Sequence, residues 1–219
     1  RGPVETSRAP ITPASVVTAA TMTPYVAAPD VVSNVARYCT RPPPGTASDA
    51  TLARVRRLAD ELDLPVAMHL HETAWEVEQS VQAHGRRPLA RLAELGLASP
   101  QLVAIHMTQT SAEDLDLLAE AGASVVHCPE SNLKLGAGVC PVARLLGRGV
   151  RVALGTDGAA SNNDLDLLAE ARIAGLLSSG VAATPGDLVA NDLLRMATLE
   201  GARALGLGEV TGSIEPGKW

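Results

Sequence analysis

Four short apolar segments of the chain each end in polar residues of types that can do chemistry. Four of the five histidines and the aspartate of a Thr-Asp-Gly sequence lie at these ends. In parallel α/β proteins the carboxyl ends of the strands converge on one mouth, where active sites are built. We therefore expect these side chains to share one site. They are His69-Leu70-His71-Glu72, His106, His127 and Thr156-Asp157-Gly158.

The first of these segments permits two interpretations. Residues two apart on a strand face the same way, so His69 and His71 could offer two nitrogens to one metal ion. Alternatively, His69 is the metal ligand, and Glu72 is a carboxylate at the rim that shuttles protons. The spacing alone leaves both interpretations open.

The predicted neighbours of His69 strengthen the metal interpretation. A single buried histidine is more often hydrogen-bonded in a core than bound to a metal. His106 and Asp157, however, end equivalent strands, and two imidazoles with a carboxylate suit a hydrolytic divalent ion such as zinc. We therefore predict a metal centre at this edge of the sheet.

Other chemically suggestive residues have simpler explanations. Residues 212–218 have the spacing of a phosphate loop, but Trp219 replaces the Ser or Thr that should contact magnesium. Cys128 follows His127 on a strand and faces the opposite side, which predicts a buried thiol. His84 is interpreted as a solvated helix terminus. The chain contains neither a His-Glu-x-x-His sequence nor the Pro-Cys-x-x-Cys sequence of cytidine-type zinc deaminases.

Hydrophobic periodicity and capping residues predict the elements that position these groups. Short apolar runs bounded by turn residues predict four strands, at residues 66–70, 102–105, 123–126 and 150–154. Helices are predicted from Ser48 or Asp49 to 62, from 74, at 88–95, from a Ser111 capping box to 122, and at 141–146, 165–177 and 188–205.

Strand and helix thus alternate four times, and the strands are apolar on both faces. Strands of this kind are buried on both sides, which predicts an α/β fold with a parallel sheet covered by helices.

Composition excludes several classes of protein. The apolar fraction of 46% supports a core, and the net charge of −6 argues against a nucleic-acid partner. With no Phe, two Trp and two Tyr, the chain lacks stacking platforms for single-stranded nucleic acid. No apolar run approaches the ~18 residues of a membrane span, and three cysteines favour a reducing, cytoplasmic location.

A change in composition near residue 48 divides the chain. Residues 1–50 hold eight of the fifteen prolines and no leucine, whereas the remainder holds 29 leucines. Residues 1–47 show no helical or strand period, so we assign them no element and no chemical role, and their composition favours a poorly ordered segment.

From residue 48 onward the sequence resembles the amidohydrolase superfamily, and within it the methylthioadenosine/S-adenosylhomocysteine deaminases. The resemblance covers about three quarters of the chain. The motifs that carry it lie at the four predicted strand ends: His69-Leu70-His71-Glu72-Thr73, His106-Met107-Thr108-Gln109, His127-Cys128-Pro129-Glu130-Ser131-Asn132-Leu133-Lys134-Leu135 and Gly155-Thr156-Asp157-Gly158-Ala159-Ala160-Ser161-Asn162-Asn163-Asp164.

The resemblance implies a fold. Residues 48–205 would form strands five to eight of a (β/α)8 barrel, and residues 206–219 would re-enter a small β-domain. His69 and Asp157 would hold one divalent ion, for which Zn2+ is the favoured identity.

The resemblance also implies an activity, the hydrolytic deamination of an adenine nucleoside such as methylthioadenosine, S-adenosylhomocysteine or adenosine. Glu72 would shuttle protons and contact the purine, and His106 would lie beside the hydrolytic water. Asp157 would also pass a proton to the departing ammonia, and His71 would have a supporting role. Related substrates, such as guanine or a triazine, remain an alternative.

Two motifs of the family have no counterpart here: the His-x-His of its first strand and a Pro-His-Ala-Pro-Tyr sequence ahead of the Ser48 equivalent. A barrel takes ~250 residues. We therefore hypothesise that the chain is a C-terminal piece of a deaminase, whose opening is lost or lies in another reading frame. An inactive half-barrel without bound metal is the non-enzyme alternative. Exposed strand edges predict aggregation or homo-oligomeric association.

Overall fold

The computed structural model describes residues 17–18, 47–183 and 186–219. Within these ranges the chain alternates strands and helices. The strands are β1 (Val17–Thr18), β2 (Val66–Leu70), β3 (Leu102–His106), β4 (Ser124–His127) and β5 (Arg151–Leu154). The helices are α1 (Asp49–Leu62), α2 (Ala74–His84), α3 (Pro88–Glu94), α4 (Ala112–Ala121), α5 (Pro129–Lys134), α6 (Val142–Leu146), α7 (Leu167–Ala182), α8 (Ala190–Ala197) and α9 (Leu199–Ala204).

The five strands form one parallel sheet in the order β1-β2-β3-β4-β5. The predicted α/β class and parallel sheet are confirmed. The register aligns Leu70 with His106 and His127 with Leu154, so the strands end at the same edge. The polar residues at or just after these strand ends therefore converge.

Capping residues begin several helices as predicted. The Ser48 side chain accepts a hydrogen bond from the Thr51 amide at the start of α1. Ser111 and Asp114 form the predicted capping box of α4, which ends at Gly122 with φ 64°. Each such contact stabilises a helix start by about 1 kcal/mol.

Leucines of the helices pack on one face of the sheet and form the main core. Leu52, Leu89, Leu115 and Leu145 are all at most 4% exposed and belong to this cluster. The opposite face carries a smaller cluster in which Ala67 and Val103 pack with Ala204 of α9. His69 lies two residues after Ala67 and, by strand alternation, on this second face.

The helices differ from the prediction in three places. The helix predicted at 165–177 spans Leu167–Ala182. The predicted helix at 188–205 is two helices, because Thr198 between them has φ −129° and ψ −89°. Its hydroxyl donates to the Leu194 carbonyl at 2.7 Å, and such back-bonding competes with the helical hydrogen-bond pattern. The short helix α5 was not predicted.

The first part of the chain adds one strand to the prediction. β1 pairs in parallel with the start of β2, aligning Val17 with Val66. The rest of residues 1–46 lies outside the described residues, so the interpretation of this segment as poorly ordered stays a prediction. No helix in the described part of the chain combines the length and the hydropathy needed to cross a bilayer.

Candidate metal centre

Three predicted site residues meet at the carboxyl edge of the sheet. His69, His106 and Asp157 each offer one ligand atom, and these atoms lie within 4.8 Å of one another. His69 Nε2 is 3.3 Å from Asp157 Oδ1, and the rings of His69 and His106 are 4.6 Å apart. The sequence analysis predicted this convergence.

The backbone turns sharply where these residues leave the sheet. His71, His106 and Asp157 all have positive φ, at 52°, 77° and 60°. Left-handed backbone costs a non-glycine residue about 1–2 kcal/mol, and such strain is concentrated at functional sites. The turns therefore direct side chains from neighbouring strands toward one point at a cost in stability.

Two serine hydroxyls and the His69 ring contact the Asp157 carboxylate. Its Oδ2 accepts from Ser131 Oγ at 2.6 Å and from Ser161 Oγ at 2.8 Å, and His69 lies at Oδ1. Burial alone would raise the pKa of Asp157, but these hydrogen bonds outweigh it and hold the pKa well below its ordinary value. The site thus contains a permanent negative charge.

His106 is fully buried, and one neighbour determines its tautomer. Its Nδ1 lies 2.7 Å from Asn132 Oδ1, an acceptor, so Nδ1 carries the proton and donates it. Its Nε2 is buried and makes no hydrogen bond to the described residues. Burial lowers the pKa of His106, and the His69 imidazole lowers it further. The Nε2 lone pair is therefore available at the cluster.

Glu72 lies at the rim of the cluster. Its Oε1 is 3.9 Å from His106 Nε2, and its side chain is 23% exposed. Its carbonyl accepts a 2.6 Å hydrogen bond from Thr108 Oγ1, and its amide donates to Glu76 Oε2 at 2.7 Å. The backbone of Glu72 is therefore fixed on both sides while its carboxylate is accessible to solvent.

His71 has a different environment from His69. Its Nε2 accepts from the Leu89 amide at 3.0 Å, and its Nδ1 donates to the Gln109 carbonyl at 3.1 Å. Because both ring nitrogens are engaged, His71 cannot share an ion with His69. The alternative in which the two histidines bind one metal is excluded, and the supporting role is the one that fits.

The donor set suits a divalent ion. Two imidazoles and an ionised carboxylate are ligands that zinc accepts, and the orphaned Nε2 of buried His106 is a polar atom that needs a partner. Hydrogen bonds from Ser131 and Ser161 orient the carboxylate as outer-shell groups orient metal ligands. The residues present therefore fit a metal centre.

Several contributors to the site were not singled out from the sequence. Ser131, Asn132 and Ser161 hold Asp157 and His106, yet the sequence analysis gave them no role. Their signal was present, since all three lie in the segments that directly follow predicted strand ends. His127 is buried and is not one of the three residues whose ligand atoms converge, and His84 is exposed at the end of α2.

Comparisons with known proteins agree with this geometry. Residues 8–219 match the amidohydrolase family, a span that begins upstream of residue 48, where the sequence analysis placed the resemblance. A 5-methylthioadenosine/S-adenosylhomocysteine deaminase of Teredinibacter turnerae is 54% identical over 175 residues, which cover 80% of this chain and 40% of that protein.

Solved structures show the same similarity. The chain matches a zinc-bound adenosine deaminase of Xanthomonas campestris with a TM-score of 0.78 and 56% identity, covering 80% of this chain and 40% of that one. A zinc complex of atrazine chlorohydrolase from Arthrobacter aurescens matches with a TM-score of 0.74 and 29% identity, over 78% and 38%. The chain thus spans about two fifths of the length of these relatives, and it belongs to the amidohydrolase family.

Proposed function

We propose that this chain carries the second half of the active site of a metal-dependent deaminase that acts on an adenine nucleoside. The observation that carries the proposal is the cluster of His69, His106 and Asp157, with Glu72 3.9 Å from His106. The relatives named methylthioadenosine/S-adenosylhomocysteine deaminase and adenosine deaminase support the substrate class.

His69 and Asp157 would hold one divalent ion, with zinc favoured by the zinc-bound relatives. When bound, such an ion supplies the Lewis acidity that makes water nucleophilic at neutral pH. The low pKa of Asp157 keeps its carboxylate ionised, so this ligand does not need to lose a proton before binding.

Three side chains would then direct the reaction. His106 accepts a hydrogen bond at its unprotonated Nε2 and orients the attacking water. Glu72 would carry one proton from that water to a ring nitrogen of the substrate. Asp157 would take the second proton of the water, from the hydroxyl formed at C6, and pass it to the leaving amine. A C6–O bond forms, the C6–N bond breaks, and the products are the inosine analogue and ammonia.

The same resemblance also suggests which strands of a (β/α)8 barrel this chain contains. We propose that β2 to β5 correspond to strands five to eight of a (β/α)8 barrel, since all four are parallel and consecutive and their carboxyl ends share the site. Residues 206–219 would lead into a small β-domain. Homo-oligomeric association stays a prediction.

A hydrolase acting on another ring substituent is the second candidate. The match to an atrazine chlorohydrolase over 78% of this chain favours keeping triazines in the comparison, and guanine belongs with them as a ring amine. The metal cluster does not determine which of these rings is the substrate, because the same ion and the same proton shuttle would serve all of them.

The test is an assay of the full chain with Zn2+ and, separately, methylthioadenosine, S-adenosylhomocysteine, adenosine, guanine and a triazine. Ammonia release, the spectral change from adenine to hypoxanthine and, for a chlorinated triazine, chloride release are followed. We expect turnover of an adenine nucleoside, and a 10²- to 10⁴-fold loss in Glu72→Gln, which removes the proton shuttle without touching the ligands.

Zinc binding measured on the same samples separates the alternatives. Glu72→Gln should bind zinc as the unsubstituted chain does, because Glu72 is not a proposed ligand. Turnover confined to guanine or a triazine would replace the substrate class. Absence of both zinc binding and turnover would support the inactive half-barrel and contradict the proposal.

A further inference from the structure

Glu170 is a fully buried carboxylate outside the metal cluster. It lies in the first turn of α7 with 0% exposure and forms no ion pair among the described residues. Burial raises the pKa of Glu170 to about 7, although a hydrogen bond from the Glu130 amide acts in the opposite direction. A buried acid without a basic partner lowers the stability of the fold. The burial of Glu170 therefore needs an explanation, and its hydrogen bonds provide one.

Both carboxylate oxygens of Glu170 accept hydrogen bonds from separate parts of the chain. Oε2 accepts from the backbone amide of Glu130, in the first turn of α5, at 3.1 Å. Oε1 accepts from the side-chain amide of Asn162, in the loop between β5 and α7. Asn162 is itself fully buried, and its Oδ1 accepts from the Leu165 amide at 2.7 Å. Glu170 thus joins α5 to the loop of residues 157–166.

The residues next to these two anchor points are the ones that hold the metal cluster. Ser131, adjacent to Glu130, donates to Asp157 Oδ2, and Asn132 accepts the Nδ1 proton of His106. Ser161, adjacent to Asn162, donates to the same Asp157 oxygen. A shift between α5 and the loop would therefore change the contacts of both the carboxylate and the imidazole.

We propose that Glu170 is a positioning residue: by bridging α5 and the loop of residues 157–166, it keeps Asp157 and His106 in the geometry that a metal ion requires. The proposal rests on the proposed function for the identity of the ion. The hydrogen bonds between the chain's own residues carry the bridging role itself.

A purely structural role would be to begin α7. That helix has its own cap, because Asp166 Oδ1 accepts from the amides of Leu168 and Ala169 at 2.8 and 3.1 Å. Asp166 therefore offers a matched control in the same turn. Asp166→Ala removes a helix cap, at about 1 kcal/mol, and leaves the bridge of Glu170 intact.

The hydrogen-bond chemistry of the bridge permits a rescue. In Glu170→Gln the new amide faces the amide of Asn162, two donors with no acceptor between them. In Asn162→Asp two carboxyl groups face each other, and they lack a hydrogen bond only when both are ionised, so the variants are compared at a pH well above the pKa of Glu170. In the double variant the glutamine amide donates to the carboxylate introduced at position 162, whose second oxygen still accepts from the Leu165 amide. Only the double variant restores every hydrogen bond.

The experiment measures two properties of the full chain. Isothermal titration with Zn2+ alone gives the metal affinity, and long-range 1H–15N spectra of the metal-free chain report the tautomer of His106. We expect Glu170→Gln and Asn162→Asp each to lower zinc affinity about tenfold, as outer-shell changes do. Both should also mix the His106 tautomers. The double variant should recover both properties, and Asp166→Ala should lower only the melting temperature.

Three results would overturn the positioning role: an unchanged His106 spectrum in both single variants, the same spectral change in Asp166→Ala, or a double variant no better than the singles. If one single variant does not fold, the other and the double variant decide by the same spectra. If the unsubstituted chain binds no zinc, the proposed function fails, while the metal-free spectra still decide the role of Glu170.

Discussion

Two histidines only two residues apart on the chain have opposite environments: His71 is fully buried, and the side chain of His69 is 11% exposed. His71 is surrounded by partners: both ring nitrogens form hydrogen bonds, and Asp114 and Arg87 lie beside it. Among the described residues, His69 Nδ1 is buried without a hydrogen-bond partner, and its Nε2 lies 3.3 Å from the Asp157 carboxylate. We call the surroundings of His71 the closed region, and the cluster of His69, His106 and Asp157 the open region.

The contrast separates a structural histidine from a reactive one. In the closed region every nitrogen lone pair and proton of the ring is used, so the imidazole joins the end of β2 to α3 and to the segment that follows β3. In the open region His69 Nδ1 and His106 Nε2 are buried and have no hydrogen-bond partner in the described part of the chain, which costs free energy unless a ligand supplies the missing contact. Between His69 and His71, an unsatisfied ring nitrogen rather than burial thus marks the difference.

The largest expected effect comes from replacing the two histidines one at a time, which tests the difference between the two regions directly. His69→Ala should lower zinc affinity by more than the 10- to 100-fold typical of outer-shell changes, because it removes a ligand. His71→Ala should instead lower the free energy of unfolding by about 3 kcal/mol, because it leaves the buried Leu89 amide unpaired and creates a cavity. Zinc titration and urea unfolding of both variants measure the two effects.

Each of these variants is the control for the other. We expect the loss of zinc affinity to be largest in His69→Ala and the loss of free energy of unfolding to be largest in His71→Ala. Equal losses of zinc affinity in two folded variants would show that the regions do not differ as described.

Acid should destabilise the fold through a third histidine, the buried His127, which is influenced by His106 of the open region. Burial and the neighbouring His106 both lower the pKa of His127, to about 4, whereas at His71 the Asp114 charge opposes the effect of burial. Between pH 6.5 and 4, His127 is protonated in the unfolded chain and neutral in the folded chain. The free energy of unfolding therefore falls as the pH falls. The contribution is about 3 kcal/mol.

His127→Gln should therefore flatten the dependence of unfolding free energy on pH in this range. Urea unfolding at several pH values between 4 and 7 measures the slope. A slope identical to that of the unsubstituted chain would contradict the assignment of a neutral, buried imidazole at this position.

A smaller effect is expected where an outer contact of the open region is removed. Asn132→Leu keeps the approximate volume but takes away the acceptor of the His106 Nδ1 proton. We expect a 10- to 100-fold loss of zinc affinity and a change of His106 tautomer in long-range 1H–15N spectra. Unaltered spectra would show that Asn132 does not select the tautomer.

The smallest expected effect comes from removing one of the two serine hydroxyls that donate hydrogen bonds to Asp157 Oδ2. Ser161→Ala removes one donor from Asp157 and leaves Ser131, so zinc affinity should fall about tenfold or less, in line with ~1.5 kcal/mol for a hydrogen bond to a charge. Ser178→Ala is the control, because Ser178 donates to the exposed Asp187 at a similar distance. Equal effects of the two variants would contradict the role of Ser161.

The parts of this site that follow from sequence are those determined by strand ends. Apolar runs bounded by turns predict the four main strands, and parallel strands bring His69, His106 and Asp157 to one edge whatever their exact register. The break at Thr198 was missed because a side-chain hydrogen bond to Leu194 decides it, against a continuous apolar pattern.

The polar contacts behind the ligands depend on tertiary structure. Ser131 and Ser161 are far apart in sequence, and only the placement of α5 beside the loop of residues 157–166 brings both hydroxyls to Asp157. Glu170 has the sequence pattern of an ordinary acidic residue in the first turn of a helix. Its full burial and its two partners could not be predicted from that position.

The central claim is that the open region holds a metal ion, and anomalous diffraction from zinc-soaked crystals of the full chain tests it most directly. We predict a zinc peak at coordination distance, about 2.0–2.2 Å, from a nitrogen of His69 and a carboxylate oxygen of Asp157, and no peak beside His71. A crystal with zinc bound elsewhere and none between His69 and Asp157 would contradict the account.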